Sequence, residues 1–216
     1  NPEGNLSLKA TNGEVISLSP LAVEANVLRI IANAINLKSA AKTTEFYKNT
    51  GDITLTNSIS LENDWIHLIG TDIDLTYIKA NNLTLESNNA VNTTPGVVIQ
   101  ANEVKIKAQY FGTMEVPLSI LANKTYIERL SGNIDIMESV GIGTSVMLRG
   151  PPDGFGQIIY NKETDLFLKA DQINLIGTDP TYLYGNITFS NFNCTIPGKE
   201  IYFEANHTYT FKGNTY

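Results

Sequence analysis

The sequence predicts an all-β chain wound as a single-stranded parallel β-helix, a β-solenoid with coils of about 20–22 residues. Three observations carry this. A short apolar motif recurs at fixed internal spacing, the motif returns at an interval close to 21 residues, and helical signals are nearly absent.

The motif is an apolar residue, a small residue two positions on, and two further apolar residues three and five positions after that. Its copies are Ile30, Ala32, Ile35, Leu37; Leu68, Gly70, Ile73, Leu75; Ile78, Ala80, Leu83, Leu85; Ile99, Ala101, Val104, Ile106; and Leu168, Ala170, Ile173, Leu175. Looser copies surround Ala10, Ala122, Gly132, Gly185 and Ala205. Alternation with period two marks a short strand with one buried face. The three-residue step across the small residue changes parity, so the chain must bend there to keep both apolar pairs on the same side. Gly, Asn and Asp tolerate left-handed backbone angles and Ala adds little bulk, which suits a small residue followed by Asn or Asp to such a corner.

The period follows from the corners. Ala80, Ala101 and Ala122 are 21 residues apart, Gly185 and Ala205 are 20 apart, and Ala10 and Ala32 are 22 apart. Repeats of this length built from short strands mark a solenoid, in which no coil buries its apolar face until the next one stacks on it. The stretch 19–41 contains apolar residues that a helix would accommodate, but it is rich in Asn, Ile and Val and holds one copy of the motif, so strand is expected. Irregular segments are expected at 40–49, 87–96, 141–156 and 177–182. The third is the richest in Gly and Pro and is the expected break or loop within one domain spanning 1–216. An antiparallel β-sandwich is the competing fold, since Asn12-Gly13 suits a hairpin turn.

The chain of 216 residues is 42% hydrophobic and 17% charged, below the roughly 25% charge of an ordinary soluble domain. Asn, Thr and Ser supply the polarity. A net charge of −7 argues against nucleic acid as a partner. The single cysteine, Cys194, excludes an intrachain disulfide and any multi-cysteine metal site, and is expected to be a small core residue. No apolar run approaches the roughly 20 residues of a membrane-spanning helix. The opening Asn1-Pro2-Glu3-Gly4 lacks both Met and a signal-peptide pattern, so the chain reads as a piece of something larger.

At Gly4-Asn5-Leu6-Ser7-Leu8-Lys9-Ala10, at Gly51-Asp52-Ile53-Thr54-Leu55-Thr56 and along the tail from Gly185 to Gly213, the chain resembles the haemagglutinin-type β-helix of bacterial surface adhesins, the filamentous haemagglutinin and two-partner-secretion group. Asn1-Pro2-Glu3-Gly4 is similar to the Asn-Pro-x-Gly signature of that group, although the residues after it depart from it. The resemblance implies an exported stalk, adhesin or envelope fibre, located at the cell surface or outside the cell. The expected function is therefore a structural or adhesive solenoid segment, self-associating through its ends into a filament or sheath, with host or surface glycans as further partners.

The competing function is a polysaccharide-degrading or polysaccharide-binding β-helix of the pectate lyase or tailspike type. Glycoside hydrolysis needs two carboxylates converging on one face. The candidates are Asp72 with Asp74 and Asp135 with Glu138, but Asp72 and Asp74 alternate with Ile73 and Leu75 and read as solvated strand residues. The arginines are Arg29, Arg129 and Arg149 and the histidines His67 and His207, none with an accompanying metal or nucleophile motif. Seven glycosylation-type sequons occur, at Asn5, Asn82, Asn92, Asn123, Asn186, Asn193 and Asn206. Tyr47, Tyr77, Tyr110, Tyr160 and Tyr182 are expected to be exposed and suited to stacking on sugars. The sequence assigns no catalytic, cofactor-binding or metal-binding residue, and the chain is read as a non-enzyme.

Overall fold

Period-two strands joined by parity-changing corners build three walls around one apolar axis. The computed structural model describes side chains at residues 67–69, 72–75, 80–151, 155–177, 180–192, 200–203 and 205–212, and the strand backbone alone elsewhere from Asn5 onward. No helix occurs among the described residues.

The second wall of each coil is the most regular. Asn5–Lys9 pairs in parallel with Val27–Ile31, which pairs with Thr43–Tyr47, and the ladder continues through Ile59–Gly70, Ile78–Ser87, Val98–Ala108, Lys124–Arg129, Asp165–Leu175 and Asn186–Asn193 to Tyr209–Lys212. The first wall stacks Ile78 on Ile59, Ile99 on Ile120 and Leu118 on Ile158. The third wall stacks Ile53–Leu55, Ile73–Leu75, Ala90–Thr93 and Tyr110–Phe111, and further along the chain Asn133–Ile136 on 172–175. Parallel pairing of consecutive coils makes this a β-solenoid and excludes the sandwich. The strands flanking Asn12-Gly13 each pair in parallel with the next coil rather than with each other.

The coil length is less uniform than the motif suggests. Leu83, Val104 and Thr125 stack at steps of 21 residues, and Leu166 and Ile187 likewise, but Ile66 and Leu83 stack at 17 and Leu28 and Thr44 at 16. Two residues, 76–77, lead from the third wall to the next first wall in the short coil, against four, 94–97, in the following one.

The five strict motif copies also fall on two different corners. Ile78-Ala80-Leu83-Leu85 and Ile99-Ala101-Val104-Ile106 turn the first wall into the second; the copies at Gly70 and Ala170 turn the second into the third. One spacing serves both because each corner needs two successive outward residues. At the first kind, Ala80 and Ala122 point inward, Asn81, Asn102 and Asn123 are exposed, and the next apolar residue is inward again. Left-handed backbone is absent there. Among the described residues it appears instead at Gly132 (φ 82°) and Asn191 (φ 61°) on the second-to-third corner and at Gly185 (φ 78°) and Asn206 (φ 65°) on the first-to-second.

Rows of inward side chains form the core. Leu68, Leu85, Ile106, Ile127, Leu168 and Phe189 lie one above another on the second wall. Each is at most 1% exposed, so the row is dry throughout its length. Thr125 interrupts the neighbouring row, and its hydroxyl meets that of Thr164 at 3.4 Å, which keeps the buried polar atom satisfied.

The Gly- and Pro-rich stretch 141–156 departs from parallel pairing. Glu138–Ile142 and Ser145–Arg149 form an antiparallel hairpin, and the latter pairs antiparallel with Gln157–Asn161. The hairpin is part of the first wall: Ser139 Oγ donates to the carbonyl of Tyr182, placing 138–142 beside Thr181–Leu183. On the third wall, Gly156 bridges Phe111 and Gly150 N donates to Gly156 O (3.0 Å). On the second wall, Lys124–Arg129 pairs directly with 165–169, with nothing between. Two walls therefore carry two additional strands, about 10 Å at ordinary strand spacing, and the second wall carries none. The fan closes at the corner, where Gly185 lies so near the carbonyl of Lys162 that a Cβ there would collide with it.

Candidate functional site

On the second wall every other residue points away from the core, and in-register stacking places the same coil position of successive coils side by side. One outward row reads Thr84, Lys105, Tyr126, Phe167, Thr188; the next, two residues further along each strand, reads Glu86, Lys107, Glu128, Lys169, Ser190. Between the rows lies a furrow of about 490 Å³, floored by the backbone of the inward residues Leu85, Ile106, Ile127 and Leu168.

The two sides of the furrow differ chemically. Tyr126 and Phe167 stack with centroids 4.4 Å apart and planes 7° from parallel, and the Lys105 ammonium sits 5.4 Å from the Tyr126 centroid. The ring faces are thus directed along the solenoid axis at each other and at Lys105, and the rings present their edges to the furrow. On the opposite side, Lys107 and Lys169 both approach Glu128 Oε1, at 3.8 and 3.2 Å, and Glu86 Oε1 is 2.7 Å from His67 Nε2. Lys105 Nζ lies 2.7 Å from Glu103 Oε1; that hydrogen bond raises the amine above its ordinary pKa against a lowering by partial burial.

The candidate acids do not converge. Asp72 Oδ1 accepts from Asn89 Nδ2 (2.7 Å) and the backbone N–H of Ala90 (2.9 Å), and Asp74 accepts from Asn92 (3.2 Å). Asp135 accepts from Asn174 (2.7 Å), and Glu138 faces Arg149 at 3.5 Å. These bonds belong to a wider pattern in which an Asn amide bonds to the coil before it: Asn186 donates to Asp165 (2.8 Å) and Asn123 to Asn102 (2.8 Å). The sequons at Asn92, Asn123 and Asn186 thus carry amides engaged in the stack. Among the described residues no three of His, Cys, Asp and Glu gather in a metal-binding group, and no helix is long and apolar enough to cross a membrane.

The tyrosines divide. Tyr110 and Tyr182 are exposed, whereas Tyr160 is fully buried, because it occupies an inward position of the first wall above Ile120. Arg129 lies over the Tyr110 ring at 5.7 Å and donates to the carbonyl of Asn133. Tyr182 stacks on Tyr202 at 5.0 Å. Cys194 and the side chains of Asn5, Arg29, Tyr47, Tyr77 and Asn193 lie outside the described residues.

The sequence reading missed the furrow. Each of its residues is an ordinary outward strand residue in isolation, and only alignment of the coils on their corners brings them into line. Tyr126 and Phe167 require that alignment to cross the hairpin insertion. Compared with protein-family models, with curated proteins and with solved structures, the chain finds no match.

Proposed function

We propose that this chain is a non-catalytic structural segment of an extracellular, cell-surface protein, a stiff solenoid whose product is length and surface. The observation that supports it most is the use made of the charged side chains. The carboxylates of Asp72, Asp74, Asp135 and Asp165 each accept from an Asn one coil on, so they bind coil to coil rather than face a common substrate. The dry rows of the core add to the same reading, since stability then scales with the number of stacked coils. Placement at the cell surface, and adhesion as a role, come from the resemblance to surface-adhesin repeats.

Self-association belongs to this proposal. A solenoid ends in a strand whose outer edge offers backbone N–H and C=O groups to another chain. Electron microscopy of the purified protein, with incubation against neutral and acidic polysaccharides, tests the whole reading. Elongated particles that join end to end and release no sugar support it. Reproducible release of oligosaccharide, or compact particles, overturns it.

A further inference from the structure

We propose that the furrow between the Tyr126–Phe167 row and the Glu128–Lys169 row is a binding site for an uncharged glycan chain lying along the solenoid axis. It rests on the reading of the chain as an exposed surface solenoid and adds to it a ligand class and a site.

Three features select the ligand. The furrow crosses the coils from Thr84 to Thr188, five strands, or on the order of 20 Å at ordinary strand spacing; its volume of about 490 Å³ falls within the range of small-molecule sites, roughly 300–1,000 Å³. It is long and open, which suits a chain rather than a compact ligand. Its two sides are unlike: ring edges of Tyr126 and Phe167 on one, alternating carboxylates and ammonium groups on the other. A sugar ring is amphipathic in the same sense, with C–H groups on its faces and hydroxyls around its rim. Hydroxyls both donate and accept, so one hydroxylated chain can meet Glu128 and Lys169 in succession, whereas a purely donating or purely accepting ligand cannot.

Charge decides between glycans. Lys107 and Lys169 share Glu128, Glu86 is held by His67, and Lys105 by Glu103. An acidic glycan would have to draw the lysines away from these carboxylates and lie beside Glu86 and Glu128. An uncharged chain leaves every pair in place.

Calorimetric titration of the purified protein with neutral β-linked glucan oligosaccharides of increasing length, and with oligogalacturonate of matched length, tests the site. The expected result is binding of the neutral series that tightens with length over the first several sugars, with weak or no binding of oligogalacturonate. Tyr126→Ala and Glu128→Gln are each expected to weaken binding at least tenfold, and Tyr182→Ala, on another wall, to leave it unchanged. Glu128→Gln keeps the side-chain shape, so it remains informative if Tyr126→Ala lowers the melting temperature. Binding of the acidic series alone, absence of binding, or neutral binding indifferent to Tyr126→Ala and Glu128→Gln overturns the proposal. Absence of binding by elongated, non-hydrolytic particles removes the furrow and leaves the scaffold; cleavage of the glycan removes the scaffold reading.

Discussion

The rings of Tyr126 and Phe167 stack 4.4 Å apart although 41 residues separate them in the chain. Every other step between described coils of the second wall is close to half that length, and the excess is the hairpin that the chain makes on another wall before it returns. The stack therefore joins two coils that the insertion would otherwise leave held by backbone pairing alone. A double-mutant cycle on Tyr126→Ala and Phe167→Ala is expected to give a coupling of about 0.5–1.5 kcal/mol, the range for stacked aromatic pairs. Strict additivity in denaturant unfolding would show that the rings are merely neighbours.

The parity of the corner makes a sharp prediction about length. Ala101 faces the core, Asn102 and Glu103 face out, and Val104 faces in. Deleting Asn102 leaves one outward residue where two are needed, so Val104 and Ile106 would turn to solvent or force the neighbouring coils to shift. The deletion is expected to abolish cooperative unfolding near the corner and expose 98–108 to protease. Asn102→Ser, which keeps the count, is expected to cost only about 1 kcal/mol through the lost bond from Asn123.

The hairpin acts as a wedge, because it adds two strands to the first wall and the crossing at 150 and 156 to the third, and none to the second. Deletion of 138–156 shortens the 41-residue step between Lys124 and Asp165 to 22, an ordinary coil length for this chain. The deletion variant is expected to fold and to be straighter, with small-angle scattering reporting a lower cross-sectional width at the same pair-pairing content. An unchanged scattering profile would mean that the walls absorb the extra strands without bending.

Gly185 sits at the closing point of that fan, at φ 78°. A Cβ there meets the carbonyl oxygens of Lys162 and Thr164, and left-handed backbone already costs a non-glycine residue about 1–3 kcal/mol. Gly185→Ala is expected to destabilise by at least that amount in chemical denaturation, and Gly143→Ala, at the open hairpin tip with φ 58° and no atom near the added Cβ, by less. Equal losses would show that the carbonyl contact has no part in the effect.

Burial raises the Tyr160 phenol well above its ordinary pKa of 10.0. Below pH 10 the phenol is neutral in both folded and unfolded chain and its contribution is complete. Above it the unfolded chain loses the proton while the folded chain keeps it, so stability falls by up to about 1.4 kcal/mol per pH unit from this group. Tyr160→Phe is expected to match the parent near neutral pH, apart from the weak 3.5 Å contact to the carbonyl of Tyr184, and to lose less stability between pH 10 and 11.5. Parallel pH profiles would place the alkaline sensitivity elsewhere.

Parity, period and composition made much of the fold legible before any coordinates. Leu83, Leu85, Val104 and Ile106 reach the core as their alternation requires, because a buried period-two row leaves a strand only one register. The same spacing could not say which corner it marked, since both corners demand two successive outward residues. Nor did 141–156 reveal its pairing: Val146 and Leu148 alternate as a strand should, yet Gly and Pro on either side favour a loop, and the partner at Ile158 and Tyr160 decides the matter from outside. Tyr160 was misread as exposed for the same reason.

What the residues determine by themselves is therefore local and periodic: strands, bends, the coil and the dry rows along its axis, all set by which side of the backbone each side chain takes. What tertiary structure alone decides is adjacency across coils. Asp135 finds Asn174 at 39 residues, Glu128 finds Lys169 at 41, and the furrow exists only where those distances close. The physical reason is that an outward strand position carries no local preference for a partner; the stacking of the next coil at strand spacing chooses one for it.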